Sequence, residues 1–259
     1  MKGVILAGGT GSRLKPMTNY INKHLLPVFD KPMIFHSLSI LLLAGVREIA
    51  VVCRKEDAAQ FKMLLQPFET QVKFMLVHQH STDGLPDAIL CAKEFIGDEP
   101  FTVMLGDNLI FGDSIPEILR KQIVQTTEGN VGCFTYPTKN PESFGILERT
   151  HSGKVKNIHE KPSTFISNEA ILGLYIFPSG GLDLCVDISR SARGEYEIID
   201  VLKNALRADR LNVTKLGRGH VWMDMGTPET LHDAASFLKV VQERQGLDIG
   251  NPYKILNII

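Results

Sequence analysis

Cysteine is scarce in this chain and never closely paired: Cys53, Cys91, Cys133 and Cys185 lie tens of residues apart in 259 residues. Neither a zinc ribbon nor a disulfide framework fits that spacing, so reduced, mostly buried thiols in a cytoplasmic protein are expected. Excess charge is missing as well. Lys and Arg number 28 against 29 Asp and Glu, a net charge of -1, which leaves no basic stripe to neutralise a phosphate backbone and excludes nucleic acid as a partner. Long apolar runs are absent: the most apolar, Ile34 to Val46, carries His36, Ser37 and Ser39 and falls far short of the roughly 20 residues of a membrane span. The opening MKGVILAGG runs into a glycine-rich turn without a small-residue cleavage site, so it reads as a first strand and not a signal peptide. What remains is 44% hydrophobic residues at a mean hydropathy of +0.01, enough for a sizeable core.

Strand-like runs at Gly3 to Ala7, Ile49 to Cys53, Val72 to Val77 and Phe101 to Leu105 alternate with amphipathic stretches at Met33 to Ala44, Glu56 to Leu65 and Ala88 to Phe95. Val, Ile and Leu without strict alternation are expected where helices cover both faces of a mostly parallel sheet. The predicted fold class is therefore α/β, Rossmann-like. Beyond Asp107 the texture turns mixed, α plus β: a helix near Ser114 to Gln125, strands at Val131 to Tyr136, Phe144 to Glu148, Val155 to His159 and Ile171 to Phe177, and helices at Glu197 to Ala208 and Glu229 to Gln245. No Pro/Ser-rich linker or internal repeat separates the two parts, so one domain over 1–259 is expected, with 1–110 mainly a nucleotide half and 111–259 mainly a second-substrate half.

The segment Leu6-Ala7-Gly8-Gly9-Thr10-Gly11-Ser12-Arg13 follows the first strand directly, where an open α/β sheet places its ligand crevice. Its glycines let backbone N–H groups turn toward an anion. Two familiar phosphate loops fail the test. Walker A needs Gly-Lys-Ser/Thr, which is missing; the dinucleotide fingerprint needs glycine where Leu14 stands and an acid where Cys53-Arg54-Lys55 stand.

A longer pattern does fit. Gly8-Gly-Thr-Gly-Ser-Arg13-Leu-Lys-Pro16-Met-Thr18, Asn22-Lys23-His24-Leu-Leu-Pro27 and Asp30-Lys31-Pro32 resemble the sugar-1-phosphate nucleotidyltransferases, within them the thymidylyltransferases of glucose 1-phosphate. The resemblance continues in order through Gln79 with Asp83-Gly84-Leu85, Leu105-Gly106-Asp107-Asn108, Phe144-Gly145, Glu160-Lys161-Pro162, Gly173-Leu174-Tyr175, Ala192-Arg193-Gly194-Glu195 and Trp222-Met-Asp224-Met-Gly226-Thr227. It implies transfer of a nucleotidyl group from dTTP to glucose 1-phosphate or a related sugar 1-phosphate, with UTP or another sugar as the alternative; a non-catalytic nucleotide-binding regulatory subunit ranks behind both, because Arg13, Lys23, Asp107 and Asp224 are all present. Such a reaction needs no covalent residue; cations and backbone donors neutralise charge on the leaving pyrophosphate.

By the same resemblance Arg13 and Lys23 contact the triphosphate, with Leu6, Gly8, Gly9, Thr10 and Gly11 around the nucleotide. Asp107 and Asp224 are implied as ligands of Mg²⁺, a hard ion that prefers one or two protein oxygens plus phosphate oxygens and water. Strand residues two apart share a face, so Trp222 and Asp224 should point the same way. Gln79 offers a donor and an acceptor to a pyrimidine edge, with Gly84 nearby. Gly145, Glu160, Lys161, Tyr175 and Arg193 are implied to take the sugar phosphate. His78 and His80, flanking Gln79, read as solvent-facing histidines and not metal ligands.

Two departures stand out. His24 occupies the position where thymidylyltransferases usually carry glutamine. After the last long helix and Gly246 only 13 residues follow, whereas longer family members continue into helices that help build a regulatory nucleotide site. Cooperative feedback inhibition is therefore not expected here, while a homo-oligomer stays open. Gly250 and Pro252 should limit the tail to one or two turns, and the apolar Ile255-Leu-Asn-Ile-Ile is expected to pack on the body or across a dimer interface.

Overall fold

The computed structural model describes residues 1–186, 188–191 and 193–258, with nothing of the side chain of Thr127. Ala192 of the Ala-Arg-Gly-Glu motif and the terminal Ile259 lie outside the described residues. Strand β1 (Lys2–Leu6) enters the glycine loop, and a small hairpin of β2 (Pro27–Val28) and β3 (Lys31–Pro32) leads to helix α1 (Met33–Leu43). Then come β4 (Glu48–Cys53), α2 (Ala58–Leu65), β5 (Lys73–His78), α3 (Leu85–Cys91), α4 (Lys93–Ile96), β6 (Phe101–Leu105) and β7 (Asn108–Gly112). The rest of the chain forms α5 (Ile115–Thr127), β8 (Val131–Pro137), β9 (Gly145–Arg149), β10 (Val155–Glu160), β11 (Glu169–Phe177), α6 (Ile198–Arg207), β12 (Leu211–Lys215), β13 (His220–Asp224), α7 (Pro228–Gln245) and α8 (Pro252–Ile255).

One sheet runs β10-β9-β11-β6-β1-β4-β5, with β8 pairing β11 and β12 joining β8. Strands β6, β1, β4 and β5 are parallel, and β11 is antiparallel to β6, β8 and β9. The predicted Rossmann-like parallel half and mixed second half are thus both present. Successive side chains divide between two cores, as the pleat demands. Ile5, Ile49 and Val51 join α1, α2 and α5 on one face, and Val4, Ala50 and Val52 join α3, α4 and α6 on the other. Being buried on both faces is why these strands read as continuous apolar runs.

The predicted helix Ala88 to Phe95 is divided at Ala92, and its first part starts early, with Pro86 in the first turn after Gly84. Its apolar stripe Ala88, Ile89, Ala92, Phe95 and Ile96 is nevertheless buried throughout. Strands β7 and β12 escaped the sequence reading because each is short and finds its partner far along the chain, β7 on β13 and β12 on β8; such strands are made by tertiary pairing more than by local propensity. The tail forms the single turn α8, in which Pro252 begins the helix instead of interrupting it. Tyr253 packs on Phe68 and Phe35 at ring distances of 4.6 and 6.2 Å, and Leu256 is buried, so the tail lies on the body. Among the described residues no helix is long and apolar enough to cross a membrane. All four cysteines are free.

Candidate active site

The C-terminal ends of the parallel strands open into a cleft of about 980 Å³. Beyond β1, the Ala7 N–H donates to Val52 O at 2.7 Å, which carries the strand direction into the loop. Gly8 lets the loop pass close to Gln79, whose amide a Cβ there would have to displace. Gly11, at φ 63°, reverses the chain in the left-handed region and begins the turn bearing Arg13. Arg13 reaches toward Asp224: a Cβ on Gly226 would lie 2.6 Å from Arg13 Nη2 and 2.8 Å from Asp224 Oδ2.

The two carboxylates are joined by a ribbon separate from the main sheet. Antiparallel β7 and β13 place Asp224 opposite Asn108, and Met225 N–H donates to Asp107 O at 2.9 Å. Lys23 Nζ forms an ion pair with Asp107 Oδ2, and Asn108 Nδ2 donates to Asp107 Oδ1 at 3.1 Å. Asn108 is itself fixed, since its Oδ1 accepts from Trp222 Nε1 at 2.7 Å and Gly173 N–H at 3.0 Å. Burial opposes ionisation of Asp107, but the Lys23 ammonium, the neighbouring His24 and the hydrogen bonds from Lys23 and Asn108 together outweigh it and hold the carboxyl at about 2. Asp224 is pushed the other way, up to about 6, by burial and by the Asp107 charge. His24, buried beside Lys23, is driven down to about 3 by burial and that ammonium, and stays neutral at pH 7.

Neighbouring carboxylates driven apart in this way are a common mark of a functional site. A cation between them would relieve the repulsion at Asp224. Among the described residues no cluster of three or more acidic, His or Cys side chains could hold a metal by itself, so an ion here would draw its further oxygens from phosphates and water, which suits Mg²⁺.

On one wall Gln79 follows β5, with Nε2 donating to Ser81 O at 2.7 Å. Gly84, at φ 119°, lies so close to the Tyr196 backbone that no Cβ fits. The loop before it is pinned: Tyr196 N–H donates to Asp83 O at 2.7 Å, and Arg190 Nη2 meets Asp83 Oδ2 at 2.7 Å while its guanidinium lies over the Tyr196 ring. On the opposite wall β9 and β10 bring Gly145 opposite Glu160. Burial, reinforced by Glu197, raises the Glu160 carboxyl against the pull of Lys161 and Arg193. Lys161 adopts φ 40° and sits 3.7 Å from Glu160. Arg193 contacts Glu160, Glu195 and Glu197 at 3.2, 3.2 and 3.6 Å. Tyr175, on β11, is almost fully buried as a wall, and burial raises its phenol.

Leu6, Gly8, Gly9, Thr10, Arg13, Lys23, Gln79, Gly84, Asp107, Gly145, Glu160, Lys161, Tyr175, Arg193 and Asp224 all line this one cleft. Gly11 does not; its left-handed backbone lies against Thr18 behind the wall and shapes the loop. Trp222 lines the cleft with Asp224, as their shared strand face requires, while His78 and His80 are exposed outside it. Asn108, Glu197 and Thr227 are among the lining residues to which the sequence assigned no role. Asn108 and Thr227 carried a signal, standing within the motifs of Asp107 and Asp224; Glu197 carried none.

A parallel sheet with a glycine loop, two cations and paired carboxylates at its carboxyl edge defines a nucleotide-handling α/β transferase. The chain belongs to the nucleotidyl transferase family, whose model matches residues 2–240. It is 43% identical over 252 residues to a glucose-1-phosphate thymidylyltransferase of Neisseria meningitidis, covering 96% of this chain and 86% of that one. The enzyme of the same name from Mycolicibacterium smegmatis is 38% identical over 256 residues, covering 98% and 88%. Among solved structures, a Bacillus anthracis protein described as a glucose-1-phosphate thymidylyltransferase superposes with a TM-score of 0.82 at 32% identity, covering 92% and 94% of the two chains.

Proposed function

We propose that this protein is a single-domain enzyme that transfers a thymidylyl group from dTTP to glucose 1-phosphate, giving dTDP-glucose and pyrophosphate. The observation that carries the reading is the convergence of Arg13, Lys23, Asp107 and Asp224 beside the glycine loop, between a wall bearing Gln79 and a wall bearing Glu160 and Lys161. Relatives about 40% identical over nearly the whole chain, all named for this activity, support it.

The sugar phosphate oxygen attacks the α-phosphorus in line as the bond to pyrophosphate breaks, so the protein's task is to align two polyanions and balance charge moving to the leaving group. Glycine-loop N–H groups and Arg13 hold the triphosphate, and Lys23 places an ammonium beside the α-phosphate. Lys161 draws in the phosphate of the second substrate, and Glu160 accepts from sugar hydroxyls. Gln79 pairs with the imide edge of the base. Mg²⁺ held by Asp107 and Asp224 would supply Lewis-acid neutralisation of phosphate charge. A pyrophosphate-release assay crossing four nucleotides with a panel of sugar 1-phosphates tests the proposal. dTTP with glucose 1-phosphate should be the best pair, EDTA should abolish turnover and Mg²⁺ restore it. A clear preference for UTP or for another sugar, or full activity in EDTA, would overturn it.

A further inference from the structure

Asn22 is buried behind the cleft wall with 1% of its surface exposed, and all four hydrogen-bonding positions of its amide are filled. Nδ2 donates to Ala7 O at 3.0 Å and to Asp57 Oδ2 at 2.7 Å. Oδ1 accepts from the His24 N–H at 2.9 Å and lies 2.8 Å from His24 Nδ1. Turned over, the amide would set its oxygen against the Ala7 and Asp57 acceptors and its NH2 against the His24 N–H, so its orientation is fixed. Asn22 caps the short turn Lys23–Leu25 that carries the lysine facing Asp107. A turn of three residues has little stability of its own and needs outside anchors. Ala7 and Asp57 follow the adjacent parallel strands β1 and β4, so the amide ties the lysine turn to two neighbouring strand ends.

Asp57 is the only one of these partners that comes from beyond α1. It is 5% exposed, does not line the cleft, and is gripped by Arg54 through Nε at 2.8 Å and Nη2 at 3.1 Å. We propose that Asp57 is a positioning residue for the transfer reaction: by holding the Asn22 amide it fixes the turn that presents Lys23 to Asp107 and to the reacting phosphate. This rests on the role given to Lys23 above. Misplacing a catalytic group by about 1 Å can cost about 10²-fold in rate, so the effect belongs in kcat and not in sugar-phosphate affinity.

The test compares Asp57→Ala, Asp57→Asn, Arg54→Ala and Lys23→Ala by steady-state pyrophosphate release and thermal melting. Asp57→Ala should lower kcat by about 10- to 100-fold with the KM for sugar 1-phosphate unchanged. Asp57→Asn, which keeps an oxygen for Asn22 Nδ2, should restore most of the loss. Wild-type kcat in Asp57→Ala beside an inactive Lys23→Ala would overturn the role of Asp57 and leave that of Lys23 standing. An active Lys23→Ala would remove the underlying reading itself. Parallel losses of melting temperature and activity in both Asp57 variants, with no rescue by Asn, would show that Asp57 merely braces the start of α2. Should Asp57→Ala fail to fold, the partly exposed Arg54→Ala decides: reduced kcat at constant KM supports the proposal, and wild-type kcat refutes it.

Discussion

Replacing Asp224 by Asn should make the metal-free protein more stable while disabling it. In the folded chain, burial and the charge of Asp107 raise Asp224 from 3.8 to about 6, against the opposing pull of Arg13 and Lys23. A group whose folded value lies above its unfolded one binds more protons when folded, so its contribution to stability is full below 3.8 and is lost as pH rises through about 6. Above that window the ionised carboxylate opposes folding by on the order of 3 kcal/mol, taking about 1.4 kcal/mol per pH unit. An amide at the same place is never charged but remains a buried polar group, so the net gain should be on the order of 2 kcal/mol. For a chain of this size that raises the melting temperature by roughly 5 °C.

Scanning calorimetry of both proteins in EDTA, at about pH 7.5 and about pH 5, measures the effect. The gap should narrow by about 1.4 kcal/mol from the higher pH to the lower, about one unit below the folded value of Asp224, and would vanish only below 3.8, where the unfolded carboxyl is protonated too. Asp107 behaves oppositely: held at about 2, it contributes stability above 3.8 that is lost as pH falls through about 2, outside both measurements. Asp224→Asn turnover with Mg²⁺ should fall by orders of magnitude, the trade expected where a site keeps charge that the fold would discard. An Asn variant that melts at or below wild type at the higher pH, or a gap of equal size at both, would refute the assigned repulsion.

Arg13→Ala should lower kcat far more than it raises the KM for sugar 1-phosphate, because its contact strengthens as charge moves to pyrophosphate; Lys161→Ala should mainly raise that KM, and identical profiles from initial-rate kinetics would count against the division. Gly84→Ala places a Cβ on the Tyr196 backbone at φ 119°, so it should raise the KM for dTTP and lower the melting temperature, and an unchanged pair of values would show that this loop is not held as described.

The sequence by itself determined the parallel half of the fold, and its resemblance pointed to the charged and glycine positions that line the cleft. Runs such as Val4-Ile5-Leu6 and Ile49 to Cys53 are apolar at every position because helices bury both faces, a local signal that survives without any knowledge of partners. The glycine loop was legible for a similar reason: Gly8 and Gly11 answer steric demands made within a few residues or by one facing side chain. What only the tertiary structure decided is how distant segments meet. The pairing of β7 with β13 joins residues more than a hundred positions apart and sets Asp224 beside Asp107, and no spacing in the sequence encodes that register. The upward shift of Asp224 arises from this meeting and from burial, and the downward shift of Asp107 from the Lys23, His24 and Asn108 side chains packed against it. Likewise Asn22, legible in the sequence only as the first residue of a motif, becomes a fully bonded hub once Ala7, His24 and Asp57 surround it, because a buried amide's role is set by whichever donors and acceptors the packed chain brings to it.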